Sequence, residues 1–251
     1  MAKPKKKKIL VTGGMGFIGH NVVRLLQSLK HDVQVVDALT SYGVTNKEEL
    51  EYLYNQRLTK INKKTQIYKI DIADSSLDQV FDSFKPDVVI HLASFPRQAT
   101  VRANPTEAAH TMCKGLVNVL DCCARHEVAK VLYASSSMVY GNFDDAKEDD
   151  QLNPSGSYSI WKIAGEELVK EYNRNTGLDY VIVRPTAVYG PMDVSDRVVS
   201  KFLISAMRDE KLNVNGADET LDFTFVDDCA TGIVLASLGH TIGTYNISRS
   251  H

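Results

Sequence analysis

Tyr158 and Lys162 stand four residues apart in Ser157-Tyr-Ser-Ile-Trp-Lys162, and a Ser135-Ser136-Ser137 run lies upstream of them. On a helix, positions i and i+4 share a face. A phenol with an ordinary pKa of about 10 is a poor base near neutrality. An ammonium beside it favours the phenolate, so Lys162 is expected to lower the pKa of Tyr158. Such a pair can take a proton from an alcohol while a hydride leaves the same carbon. A serine hydroxyl at a neighbouring strand end can hold that alcohol against the phenolate. A Tyr-x-x-x-Lys pair arises by chance about once in a chain this long, so its weight depends on a second signature.

That signature is at the other end of the chain. Thr12-Gly13-Gly14-Met15-Gly16-Phe17-Ile18-Gly19 follows a strand pattern and opens a helical one. Gly13, Gly16 and Gly19 have the spacing of a dinucleotide-binding turn, in which backbone approaches a pyrophosphate at a helix N-terminus. Asp37 ends the second strand, 18 residues after Gly19. A carboxylate there accepts hydrogen bonds from adenosine ribose hydroxyls and repels a 2′-phosphate, which favours NAD over NADP. Asp71-Ile72, after the third strand, suits adenine contact. His91-Leu92-Ala93-Ser94 closes the fourth strand at the same edge. Leu92, Ala93 and Ser94 are candidate cofactor contacts there, and Ser94 also faces the substrate side. His91 is expected to be a hydrogen-bonded core residue rather than a catalyst.

These residues need a sheet to bring their strand ends together. Apolar runs at 9–12, 33–37, 66–72, 88–92, 130–135 and 180–184 read as strands. Helical patterns fill 17–30, 45–61, 77–84, 106–126 and 158–176 between them. Alternation of this kind predicts an α/β fold, a Rossmann-type doubly wound parallel sheet covered on both faces. After residue 190 come a helix at 198–208, a short strand near Leu212, a strand at 223–226 and a helix at 228–238. The expected organisation is a basic tail (1–7), a dinucleotide-binding domain (8–190) and a small, interleaved substrate lobe (191–251). Residues 143–153, acidic and containing no apolar residue but Phe143, Ala146 and Leu152, are expected to form an exposed loop.

Composition narrows the function classes. The chain has 251 residues, 43% hydrophobic and 24% charged, with a formal charge of −2. That balance argues against nucleic acid as the main partner, and Lys3 to Lys8 reads as a solvated tail. No apolar run approaches a membrane span, and no uninterrupted apolar segment precedes Gly13 as a signal peptide requires. Cys113, Cys122, Cys123 and Cys229 lack metal-ligand spacing. No metal is expected, and reduced core thiols predict a cytoplasmic protein.

Together these segments resemble the extended short-chain dehydrogenase/reductase family, the NAD-dependent sugar-nucleotide epimerases and dehydratases. Ser-Ser-Ser-Met-Val-Tyr-Gly at 135–141, Arg-Pro-Thr-Ala-Val-Tyr-Gly-Pro at 184–191 and Asp-Phe-Thr-Phe-Val-Asp-Asp at 222–228 complete the resemblance. It implies NAD as cofactor, with Ser136, Tyr158 and Lys162 as the catalytic set and Lys162 also on the nicotinamide ribose. Ser94, Ser136, Ser137 and Thr186 are the implied substrate contacts. Family dehydratases resemble Thr-Asp-Glu-Val-Tyr-Gly where this chain has Ser136-Ser137-Met138. Without those two carboxylic residues the pattern is closer to UDP-glucose 4-epimerases, acting through a transient 4-keto sugar. Reductase, decarboxylase or dehydratase activity, or a non-catalytic dinucleotide-binding role, are the alternatives. Three positions depart from the family pattern: Met112 and Ala187 where asparagine is usual, and Leu221 where arginine is usual. Arg97, Arg102, Arg197 and Lys201 are the candidate replacements for the last two, which usually help hold the substrate diphosphate or nucleotide. The resemblance also implies a homodimer pairing the 106–126 and 158–176 helices, and further elements after Tyr245-Asn-Ile-Ser.

Overall fold

Ile9, Leu10 and Val11 point to alternate faces of one strand, yet all three are fully buried. A strand with no solvent face belongs inside a parallel sheet clad by helices on both sides. In the computed structural model, β1 (Lys8–Thr12) holds that place. The structure describes residues 6–40, 46–143, 145–212, 214, 216 and 220–249. Most of the expected basic tail, and the start of the helix expected at 45, lie outside the described residues.

The main sheet has seven parallel strands in the order β3-β2-β1-β4-β5-β6-β9. They are β2 (Asp32–Val36), β3 (Ile67–Tyr68), β4 (Val88–His91), β5 (Lys130–Ala134), β6 (Asp179–Pro185) and β9 (Gly243–Ile247) beside β1. The chain winds outward from β1 to β3, then returns to place β4 on the other side of β1. Strand ends diverge at that reversal, and a crevice opens where ligands of such sheets bind.

Helices α1 (Phe17–Ser28) and α9 (Val226–Leu238) pack together on one face. Their core includes Val22, Leu26, Ile90, Val183 and Ile233. On the other face lie α3 (Leu77–Phe84), α6 (Leu116–Arg125) and α7 (Ser157–Thr176), around Phe81, Leu120, Val131 and Val169. α2 (Lys47–Leu58) precedes β3. It buries only Leu53 and Arg57.

Several elements differ from the sequence expectation. The strand read at 66–72 is two residues long, because Asp71 turns the chain by accepting a hydrogen bond from Ala73 N at 2.8 Å. The helix read as 106–126 is a composite. It runs from α5 (Pro105–Ala109) through a wide, π-type turn (His110–Gly115) into α6, and α4 (Gln98–Ala103) precedes it. No strand forms at Leu212 among the described residues. A two-stranded parallel sheet instead joins β7 (Ala187–Tyr189) to β8 (Phe223–Phe225). α8 (Val198–Met207) lies between them in sequence. The last strand, β9 (Gly243–Ile247), enters the main sheet beside β6, and α9 packs on β5 and β6 of that sheet. Residues 191–251 therefore contribute to both sheets. The loop at 143–153 is pinned as well as exposed: Glu148 O accepts from Arg184 and Ala146 O from Asn246.

Candidate active site

The carboxyl ends of β1, β2, β4, β5 and β6 open into one cavity of about 1410 Å³. Gly13, Gly16, Phe17, Ile18, Gly19, Asp37, Asp71, Ile72, Leu92, Ala93 and Ser94 line it. So do Ser136, Ser137, Tyr158, Lys162 and Thr186. All the candidate cofactor and substrate residues thus meet at one cleft.

At its cofactor end the backbone turns too tightly for side chains. Gly13 has φ +70°, and a Cβ there would sit 2.6 Å from Ala93 N. A Cβ on Gly19 would sit 2.1 Å from Gly13 O, so the turn and the first turn of α1 can touch only without one. The Asp37 carboxylate accepts from Met15 N and from Leu39 N, each at 2.9 Å. Burial raises its pKa, and those two hydrogen bonds and the Arg57 charge oppose the rise. Asn118 fixes the next contact by donating to Ile72 O at 2.7 Å and Asp74 O at 2.9 Å. Ser94 Oγ is buried and has no hydrogen-bond partner among the described residues. A glycine cradle at a helix N-terminus, a carboxylate at the second strand end and an orphan hydroxyl fit a dinucleotide.

His91 is buried, its Nδ1 lies 2.8 Å from Thr12 Oγ1, and its ring stacks on Tyr133. Burial, with a smaller push from the Lys162 charge, lowers its pKa to about 3. It is a neutral core histidine.

At the other end, Tyr158 occupies the first turn of α7 and Lys162 the next. Tyr158 N donates to Gln98 Oε1 at 2.9 Å, which anchors that turn to α4. Lys162 Nζ donates to Ala134 O at 2.7 Å and lies 5.7 Å from the Tyr158 ring centre. Ser136 caps the short 3₁₀ turn Ser137–Tyr140, accepting from Met138 N at 3.2 Å. The expectation that Lys162 lowers the phenol pKa is corrected here. Burial raises Tyr158 above its ordinary value, and the opposing pulls come from the Ser136 hydroxyl and the Arg197 charge. Lys162 is itself pushed down to about 7 by burial, with Glu166 partly restoring it.

That shift has a stability consequence. An unfolded lysine titrates near 10.5, so the cost of burying the Lys162 ammonium is full below about pH 7 and disappears by about pH 10.5. Lys162→Met is expected to stabilise the protein by about 2–4 kcal/mol at neutral pH, roughly 5–10 °C in a chain this long. Thermal melts across pH should show the gap closing between pH 7 and 10. A constant gap contradicts the burial account.

Some determinants had no sequence signal. Arg57 sits on a helix without an apolar stripe, yet it is buried against the cleft. Its guanidinium donates to Met15 O at 3.1 Å and Met192 O at 2.7 Å, tying the glycine turn to the segment after β7. Below the serine run lies a buried ion pair. Glu166 accepts from Arg184 Nε at 2.9 Å and Nη2 at 2.7 Å, and from Ser135 Oγ at 2.5 Å. Met112 is buried with Phe95, Val101 and Ala108, against Tyr158 and Trp161. Ala187 and Leu221 line the cleft, as do Arg97 and Arg197; Arg102 and Lys201 do not.

Comparison with known proteins decides the family. The profile of the "NAD dependent epimerase/dehydratase family" matches residues 9–248. The chain belongs to the NAD-dependent epimerase/dehydratase family. It is 34% identical over 251 residues to a Bacillus subtilis protein named uncharacterized UDP-glucose epimerase YtcB, covering 96% of this chain and 76% of that one. It is 30% identical to dTDP-glucose 4,6-dehydratase of Neisseria meningitidis serogroup B, covering 96% and 70%. The crystal structure of UDP-glucuronic acid 4-epimerase from Bacillus cereus, with UDP-glucuronic acid and NAD, superposes with a TM-score of 0.87. That pair is 29% identical, over 97% of this chain and 78% of the other. The Rossmann-type fold and the NAD cofactor follow for this family member. No helix among the described residues is long and apolar enough to cross a membrane.

With NAD as cofactor, Asp37 gives a direct test. Asp37→Ala removes the carboxylate that would repel a 2′-phosphate and leaves the Arg57 cation nearby. The preference for NAD over NADP is expected to shrink by about tenfold or more. It also frees Met15 N and Leu39 N, so NAD itself should bind more weakly. Dissociation constants for both cofactors check this, and an unchanged ratio contradicts it.

Proposed function

We propose that this protein is a C4 epimerase of a nucleotide-activated sugar. The observation that carries the reading is Ser137-Met138, which lines the cleft directly after Ser136. Neither side chain can hold and return a proton as a carboxylate does, so the loss of water that defines a 4,6-dehydratase lacks its acid and base at that place.

NAD would lie along Gly13, Gly16, Phe17, Ile18 and Gly19, with Asp37 on the ribose hydroxyls and Asp71 and Ile72 beside the adenine. When bound, NAD⁺ supplies the hydride acceptor and a positive charge that favours the phenolate. Tyr158 takes the C4 hydroxyl proton and returns it to the C4 oxygen once the 4-keto sugar has turned and its carbon is reduced on the other face. Ser136 holds the C4 oxygen against the phenol. Lys162, fixed on Ala134 O beside the Tyr158 ring, contacts the nicotinamide ribose. Incubation with UDP-, GDP-, CDP- and dTDP-sugars, followed by chromatography, tests the activity. A 4-epimer supports it; a dehydrated 4-keto product contradicts it.

Two copies pair through the 105–126 composite and α7. These lie side by side, and Ile160 on α7 is 54% exposed. A dimer mass in solution at micromolar concentration is expected; a monomer mass contradicts the pairing.

A further inference from the structure

A buried ammonium needs compensation, and a paired carboxylate is the usual source. Lys162 is 3% exposed, yet among the described residues no carboxylate is in ion-pair contact with it. Glu166, one turn further along α7, is taken up by Arg184 and Ser135. The Lys162 ammonium is left with the Ala134 carbonyl and two aromatic rings. Its Nζ lies 5.2 Å from the ring centre of Tyr133 and 5.7 Å from that of Tyr158. At both distances a cation is drawn to the π charge of a ring, and the attraction strengthens where water is excluded.

Tyr133 is buried on β5 and does not line the cleft. Two neighbours fix its ring. The neutral His91 stacks on it, with 5.9 Å between ring centres and 14° between planes. From α7, Gly165 makes room for it: a Cβ there would sit 2.2 Å from Tyr133 Oη and 2.6 Å from Cζ. Glycine inside a helix lowers its stability, so α7 carries a weak residue where this ring must fit.

We propose that Tyr133 is a positioning residue for the catalytic pair: its ring, together with that of Tyr158, holds the Lys162 ammonium in place and keeps it charged. This rests on the reading of Tyr158 and Lys162 as that pair. The titratable groups around the ammonium are Tyr158 and Glu166 on α7, Tyr133 on β5 and His91 on β4, with Arg184 of β6 paired to Glu166. Burial brings Lys162 to about 7 and raises Tyr158, so Lys162 is neutral where the phenol titrates. It favours the phenolate only in the molecules that keep its proton. Near neutrality the attraction of a ring therefore decides how many do.

The test is an NMR titration of the NAD-loaded protein with its lysines carbon-13 labelled at Cε. The Lys162 signal is the one missing from Lys162→Met. Tyr133→Phe keeps the ring and should leave the Lys162 midpoint in place. Tyr133→Leu removes the ring, and the midpoint should fall by about one pH unit. Tyr133→pentafluorophenylalanine keeps the shape and withdraws the π charge, so the same fall is expected. This variant decides the question if Tyr133→Leu does not fold. At neutral pH both ring-impaired variants should lose kcat severalfold on whichever nucleotide sugar the protein converts. KM should not change, because Tyr133 does not line the cleft, and Tyr133→Phe should keep the unmutated kcat. A Lys162 midpoint that stays in place without the π charge overturns the inference, whatever stability is lost, and leaves the epimerase reading standing. Failure of the unmutated protein to convert any nucleotide sugar overturns that reading, and with it the claim that the ring serves catalysis.

Discussion

Tyr158→Phe is expected to abolish turnover while leaving NAD bound. The substitution removes one oxygen and keeps a ring that packs against the Phe95–Met112 cluster. Lys162, one turn further along α7, is held on Ala134 O at 2.7 Å. Loss of a positioned general base costs about 10²–10⁴ in rate, and Ser136→Ala should cost less because it removes only the orienting hydrogen bond. The rate should rise with pH to a plateau set by a group titrating below free tyrosine once NAD⁺ is bound. Turnover of a nucleotide sugar by Tyr158→Phe at the unmutated rate would show that the proton moves by another route.

Glu166→Ala is expected to produce the largest loss of stability. Glu166 and Arg184 are 0% and 3% exposed, and two of the guanidinium nitrogens face the carboxylate. Removing the carboxylate leaves a buried cation whose remaining partners are Tyr140 Oη at 2.7 Å and Glu148 O at 3.0 Å. Breaking one half of such a pair costs about 3–5 kcal/mol. Urea unfolding measures it, and a loss under about 1 kcal/mol contradicts the account. Replacing both partners, as Glu166→Leu with Arg184→Met, should recover much of the loss because no charge is left buried. Activity should suffer as well, since Ser135 Oγ loses its acceptor next to Ser136.

Much of this was legible in the chain because it depends on local pattern. β1, β4 and β5 carry unbroken apolar runs, which only a strand covered on both faces requires. The glycine spacing and Asp37 mark the crevice because steric exclusion permits few alternatives there. What escaped depends on distant partners. Gly243–Ile247 is an edge strand with no fully buried residue, so it carries no alternation to read. β8 was expected at 223–226, but its partner β7 is three residues long and exists by pairing with it across 33 intervening residues. The wide turn at His110–Gly115 interrupts a helical pattern that looks continuous in sequence. Arg57 and Glu166 resemble surface charges until the fold places carbonyls or a guanidinium beside them. The phenol pKa went the other way from expectation because spacing reveals the neighbouring ammonium but not the burial of both groups.

The most direct test follows a deuterium placed at C4 of the nucleotide sugar through one reaction with NAD-loaded protein. An epimerase returns the abstracted hydride to the carbon it left. The account predicts product with inverted C4 configuration, unchanged mass and the deuterium still at C4, read by NMR. Deuterium found at C6 of a product lighter by one water would contradict it and assign the cleft to a dehydratase.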